Sequence, residues 1–109
     1  MVTAVVRVTL RDDIDLEEFG KFEEKMIALG SSMPGFLEIK EFNADDGESM
    51  MLVTFQTRDD MIRWRDHPDH KKAQQRGRER FFSKYDVKIG EVVQHYSYSE
   101  GKRKEHELV

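Results

Sequence analysis

Cysteine is absent from the chain, which excludes disulfide scaffolds, thiolate metal sites and a cysteine nucleophile. Proline occurs only at Pro34 and Pro68, so each marks a break between elements. No apolar run approaches the ~20 residues of a membrane-spanning helix, and Met1 is not followed by a basic and then apolar leader. The expectation is a soluble, cytoplasmic protein with no membrane partner. Excess positive charge is missing as well: the net charge is −4 and the isoelectric point about 5.6. Nucleic-acid-binding domains tend to be strongly basic, so no nucleic-acid partner is expected.

What is present is a chain of 109 residues, the size of one domain. Charged residues make up 37% and apolar residues 38%, yet the apolar positions fall into periodic blocks, which argues against disorder. A chain this short has a thin core, and a self-associating surface follows as an expectation. Charge is unevenly spread. Residues 1–60 carry 6 basic and 14 acidic side chains, whereas residues 61–90 carry 9 and 4. The basic stretch suits an anionic small ligand, a partner's acidic surface, or simply a solvated helix face.

Residues 2–10 alternate, with Val2, Ala4, Val6, Val8 and Leu10 on one face, and read as a strand. Asp15 is placed to cap a helix, with Glu18 at capping-box spacing to reach back and Ile14 and Phe19 as a staple. Leu16, Phe19, Phe22, Met26 and Leu29 make one apolar stripe, Gly30 suits the C-terminal cap, and Pro34-Gly35 a turn. Phe36–Phe42 and Met50–Phe55 read as a hairpin about the Asn43–Gly47 turn. The second of these strands is apolar on both faces and is expected to be covered on both.

Thr57 caps a short helix carrying Met61 and Trp64, and Pro68 starts another, expected to run to about Tyr85. Along it the small residues Ala73 and Gly77 would allow close approach to a sheet or ligand. Residues 86–98 read as a long final strand, which makes 1–98 the domain and 99–109 a polar tail. The order is ferredoxin-like α+β, a split βαβ with its second helix broken at Pro68. Helices on one face leave the other sheet face bare, and a second copy packed sheet to sheet, with the last strand and tail crossing to it, covers it most simply.

The segment Trp64-Arg65-Asp66-His67-Pro68-Asp69-His70, followed by Ala73, Gly77–Phe82 and the closing Val92–Tyr96, resembles the antibiotic biosynthesis monooxygenase superfamily. The resemblance implies a homodimeric α+β barrel. It also implies a pocket where a phenol or enol is deprotonated and its anion reduces oxygen directly, without a cofactor. The substrate implied is a small aromatic, phenolic or quinol-like molecule. Such chemistry needs a base, donors for the enolate oxygen and an aromatic enclosure. His67 and His70 are the candidate bases, and Trp64 could stack or donate through its indole N–H. Phe81 and Tyr85 could wall the pocket, and Arg78 or Arg80 could steady the anion.

Each of these residues has a structural role open to it. Trp64 could be core, His67 a helix cap, His70 a packed and hydrogen-bonded residue, and His95 an interface residue. A non-catalytic, dimeric ligand-binding protein is therefore the alternative.

The superfamily also contains haem-degrading members, which carry a Trp on the second helix, a His about ten residues later as iron ligand, and an Asn on the first strand. Here Trp64 matches, but Gln74 and Val6 stand at the other two positions, which makes a haem protein a lesser expectation. His67 and His70 do not have the i, i+4 spacing of the zinc helix, even with Asp66, Asp69 or His95 as a third ligand, so no metal is expected. Motifs for a serine hydrolase or a phosphate loop are absent.

Overall fold

The computed structural model describes residues 1–108. Its elements run β1 (Val2–Leu10), α1 (Leu16–Ser32), β2 (Phe36–Asn43), β3 (Ser49–Phe55), α2 (Arg58–Arg65), α3 (Pro68–Arg80), β4 (Phe82–Glu91), β5 (His95–Ser99) and β6 (Lys102–His106). The first four strands form one antiparallel sheet in the order β2-β3-β1-β4. This is the expected ferredoxin-like α+β arrangement, with the second helix divided at Pro68.

Period-two alternation decides which residues enter the core. Val2 pairs with Phe55 and Ala4 with Val53; together with Met61 and Trp64 of α2 these four residues are the buried cluster. On the opposite face Thr54 is buried but the paired Val5 and Leu52 are only half-buried, so β3 is only partly covered on that side among the described residues. A second packing centre is aromatic. Phe81 lies 5.4 Å from Phe19 and 4.9 Å from Phe22, ring centre to ring centre, tying α1 to the end of α3.

Several local expectations are corrected by long-range contacts. Asp15 does cap α1, accepting from the Glu17 and Glu18 amides. Glu18 does not reach back, because its carboxylate is held by Arg76 and Arg80 of α3, each at 2.8 Å. Leu16 leaves the stripe and is 72% exposed. Gly30 is not the cap: α1 continues to Ser32, Met33 caps it, and Gly30 is buried where a methyl group would stand 3.4 Å from the Trp64 indole nitrogen. The third helix stops at Arg80 rather than Tyr85. Arg11 ends it, its guanidinium donating to the carbonyls of Arg78 and Glu79, groups a helix terminus leaves unpaired, and to the Phe82 carbonyl at the start of β4.

The expected strand over 86–98 is also divided. β4 begins at Phe82 and ends at Glu91, and residues 95–106 form a separate hairpin, so the expected polar tail supplies β6. Its two-residue turn has positive φ at both Glu100 (51°) and Gly101 (80°), the geometry that matches the twist of paired strands. The hairpin's strands pack chiefly on each other rather than on the body. The radius of gyration is accordingly 15.3 Å, against about 13 Å for a compact chain of this length.

Candidate active site

A cavity of about 420 Å³ lies between the sheet and the helices. Its floor is apolar, from Val6 and Val8 of β1, Val53 of β3, and Val87 and Ile89 of β4; Met26 of α1 closes one side. Trp64 and His70 face it from α2 and α3, and Gln74 lies one turn beyond. The Asp66–Pro68 break puts these two aromatic groups side by side. Pro68 occupies the first turn of α3, while the His67 ring nitrogen Nδ1 accepts from the Asp69 amide at 3.1 Å. His67 is thus a cap and does not line the cavity.

His70 is 4% exposed. Its Nδ1 lies 3.2 Å from the Arg65 carbonyl oxygen. A carbonyl can only accept, so Nδ1 carries the hydrogen and Nε2 the lone pair. Burial chiefly pushes the imidazole pKa down, opposed by the Arg65 carbonyl bond and assisted by His67. The ring is therefore neutral at neutral pH, with a basic Nε2. Trp64, 6% exposed, packs 5.5 Å from Phe55 and 4.3 Å from His70. Among the described residues its indole N–H has no hydrogen-bond partner, and that edge lies against Gly30 of α1.

The expected binding residues divide. Tyr85 lines the cavity, its hydroxyl accepting from Arg78 at 3.3 Å, which leaves Arg78 one step behind. Arg80 is committed to Glu18, and Phe81 is buried in the aromatic cluster, 1% exposed. Neither touches the cavity. Phe82 does, because it opens β4 and its ring fills the space where a Gly77 methyl would stand, 2.4 Å from that methyl position. No local spacing in the sequence distinguishes Phe82 from Phe81 as the wall.

Arg65, Asp66 and Lys71 complete the rim, with Arg65 paired to Asp66 at 3.0 Å. A smaller void of about 60 Å³ shares Val6, Val8 and Met26 with the cavity and ends at Glu23 and Glu41. Burial first, then a hydrogen bond and charge repulsion from Glu41, raise the Glu23 pKa to about 7. Nothing in the sequence pattern marks this pair.

Among the described residues no cluster of three or more histidines and carboxylates is arranged to hold a metal, and no helix is long and apolar enough to cross a membrane. Val6 and Gln74 both line the cavity beside Trp64. The positions that would serve a haem thus face the right space but supply neither an imidazole nor a hydrogen-bonding side chain on β1.

The family model described as antibiotic biosynthesis monooxygenase matches residues 1–76, a span that includes Trp64 and His70. The chain belongs to this family. YqjZ of Bacillus subtilis, a protein named as uncharacterized, is 28% identical over 74 residues, or 68% of this chain and 65% of that one. The chain thus spans just under two thirds of that relative's length. Two solved structures superpose well. SnoaB of Streptomyces nogalater, described as a cofactor-independent oxygenase, gives a TM-score of 0.71 at 18% identity, covering 86% of this chain and 94% of SnoaB. Rv0793 of Mycobacterium tuberculosis gives 0.75 at 16% identity, covering 88% and 98%. At these identities the likeness is one of fold.

Proposed function

We propose that the cavity is the active site of a cofactor-independent oxygenase acting on a small phenolic or quinol-like aromatic, with His70 as the base. One observation carries this reading: the apolar cavity holds a buried, neutral imidazole whose Nε2 bears the lone pair, beside an indole. His70 takes the proton of the substrate hydroxyl or activated CH, and an apolar enclosure strengthens that interaction. The resulting anion reduces oxygen. For an anthrone-type CH₂ group the balance is CH₂ plus O₂ giving C=O plus water, one oxygen atom entering each product. Trp64 stacks on the substrate ring and Tyr85 borders the open side.

We propose a homodimer as the working form, formed through the bare sheet face around Val5 and Leu52. Oxygen uptake by the purified protein with hydroquinones, catechols and anthrones tests the activity, with heat-denatured protein and His70→Ala as controls. Uptake above both controls is the expected result; none with any substrate overturns it. One observation favours the non-catalytic, ligand-binding alternative. The Trp64 N–H lies against α1 rather than offering a donor to an enolate oxygen. Retention of an aromatic probe without oxygen uptake would select that reading.

A further inference from the structure

Proton transfer to His70 leaves a negative charge on the substrate oxygen, inside an apolar enclosure. Such a charge is costly unless a hydrogen-bond donor meets it. The Trp64 indole N–H does not supply that donor, since its edge lies against Gly30 of α1. Arg65 is held by both carboxylate oxygens of Asp66. Lys71 stands on the rim but is exposed, where solvent and salt screen its charge.

Gln74 differs from all of these. It lines the cavity, it is half-buried, and its side-chain amide makes no hydrogen bond among the described residues. The next residue, Gln75, spends its own amide on Glu79 at 3.0 Å. An amide left free inside a cavity offers two N–H donors and one acceptor to whatever enters. Its place relative to His70 is fixed by α3, which runs unbroken from Pro68 to Arg80. Residues four apart on a helix share a face, with Cβ atoms about 5–6 Å apart, and side chains lean towards the N-terminus. Gln74 therefore leans over His70. An oxygen held at about 2.8 Å from Nε2 is within reach of a side chain as long as glutamine's.

We infer that Gln74 is the oxyanion donor of this site, its amide N–H holding the phenolate oxygen that His70 has deprotonated. This rests on the phenol-binding part of the proposed function and not on the reaction with oxygen. The substrate O–H bond breaks, the proton passes to Nε2, and the electron pair left on oxygen accepts the Gln74 N–H. Tyr85 also keeps a hydroxyl hydrogen, but it stands across the cavity on β4, where its oxygen accepts from Arg78 and the side chain is 45% exposed.

4-Nitrophenol reads this step without turnover, because its anion absorbs visible light and its neutral form does not. Its ionisation is titrated free, and bound to the full-length wild type and to Gln74→Met, Gln74→Glu and Tyr85→Phe, each checked for folding by circular dichroism. The wild type is expected to hold the probe's pKa below its free value. Gln74→Met, of similar length but without a donor, should raise the bound value by about 1–2, the size of one hydrogen bond to a charged group. Gln74→Glu should raise it as well. Both variants should bind 4-nitrotoluene, which has no hydroxyl to ionise, as the wild type does.

Equal ionisation in the wild type and Gln74→Met overturns the assignment and leaves the oxygenase reading to stand on oxygen uptake. A shift produced by Tyr85→Phe and not by Gln74→Met moves the role to Tyr85 and overturns it too. The expected shift without oxygen uptake from any phenol keeps Gln74 as the donor and overturns the oxygenase reading alone. Failure of the wild type to bind 4-nitrophenol removes the phenol site, and this assignment with it.

Discussion

Trp64 and His70 lie 4.3 Å apart, ring centre to ring centre, at an interplanar angle of 42°, although they belong to different helices. The turn between those helices is what joins them. Its tight geometry places the Arg65 carbonyl on His70 Nδ1 and so fixes the tautomer that leaves Nε2 basic.

His70→Ala is expected to lower turnover of an accepted phenol by about 10²–10⁴-fold, the usual contribution of a positioned general base. The wild-type rate should rise with pH along a limb centred below the ordinary imidazole value of 6.5, because burial lowers this pKa. The stability linkage has the same direction. The unfolded chain binds this proton more readily, so the contribution is complete above pH 6.5 and is lost as pH falls through 6.5 towards the folded value. Initial rates and urea midpoints between pH 5 and 8 check both.

His67→Ala should separate the two histidines. It removes the acceptor for the Asp69 amide and is expected to cost about 0.5–1 kcal/mol of stability, the lower part of the range for a lost helix cap. Turnover at a temperature well below the melting point should stay within twofold of wild type. An activity loss comparable to that of His70→Ala would return His67 to the site.

Gly77→Ala should destabilise the fold despite alanine's better helix propensity. The added methyl would meet the Phe82 ring at 2.4 Å, and that ring is packed against Phe19 and Phe22. Overpacking of this kind costs roughly 1–3 kcal/mol, offset by about 1 kcal/mol of propensity. Chemical denaturation should therefore show a net loss, accompanied by weaker binding of aromatic probes, because Phe82 walls the cavity.

Glu23→Gln should stabilise the protein only at higher pH. The folded carboxyl titrates at about 7 instead of 4.5, so the folded state holds a proton that the unfolded chain releases. Stability from this group is complete below pH 4.5 and declines as pH rises through 7. With the solvent exposure of the pair discounted, the variant should gain about 1 kcal/mol over wild type at pH 8 and nothing measurable at pH 4. Urea unfolding at the two pH values decides it.

Trp64→Ala should cost about 3–5 kcal/mol, the usual range for emptying a buried aromatic site, since the indole packs on Phe55 within the buried cluster. Trp64→Phe should retain most of that stability. The difference between the two in oxygen uptake then reports stacking on the substrate apart from the integrity of the fold.

The sequence by itself determined whatever depends on neighbours a few residues apart. The alternation of β1, the Asp15 and Thr57 caps, the Asn43–Gly47 turn and the break at Pro68 are all legible there, because strand alternation and helix capping act over two to four positions. From these the ferredoxin-like order follows, and with it the approximate place of Trp64 and His70. The stripe of His70, Ala73 and Gly77 also turns His70 inward, and the place of His67 before Pro68 suits a cap. Only the tertiary structure decided that Arg11 ends α3 from 67 to 71 positions away and that Phe82 rather than Phe81 walls the cavity. It also turned Glu18 from a local cap into a bridge to α3 and brought Glu23 and Glu41 to one void. These outcomes depend on which distant backbone carbonyl, ring or charge arrives nearby, and burial sets their energies only after the sheet and helices have closed on one another.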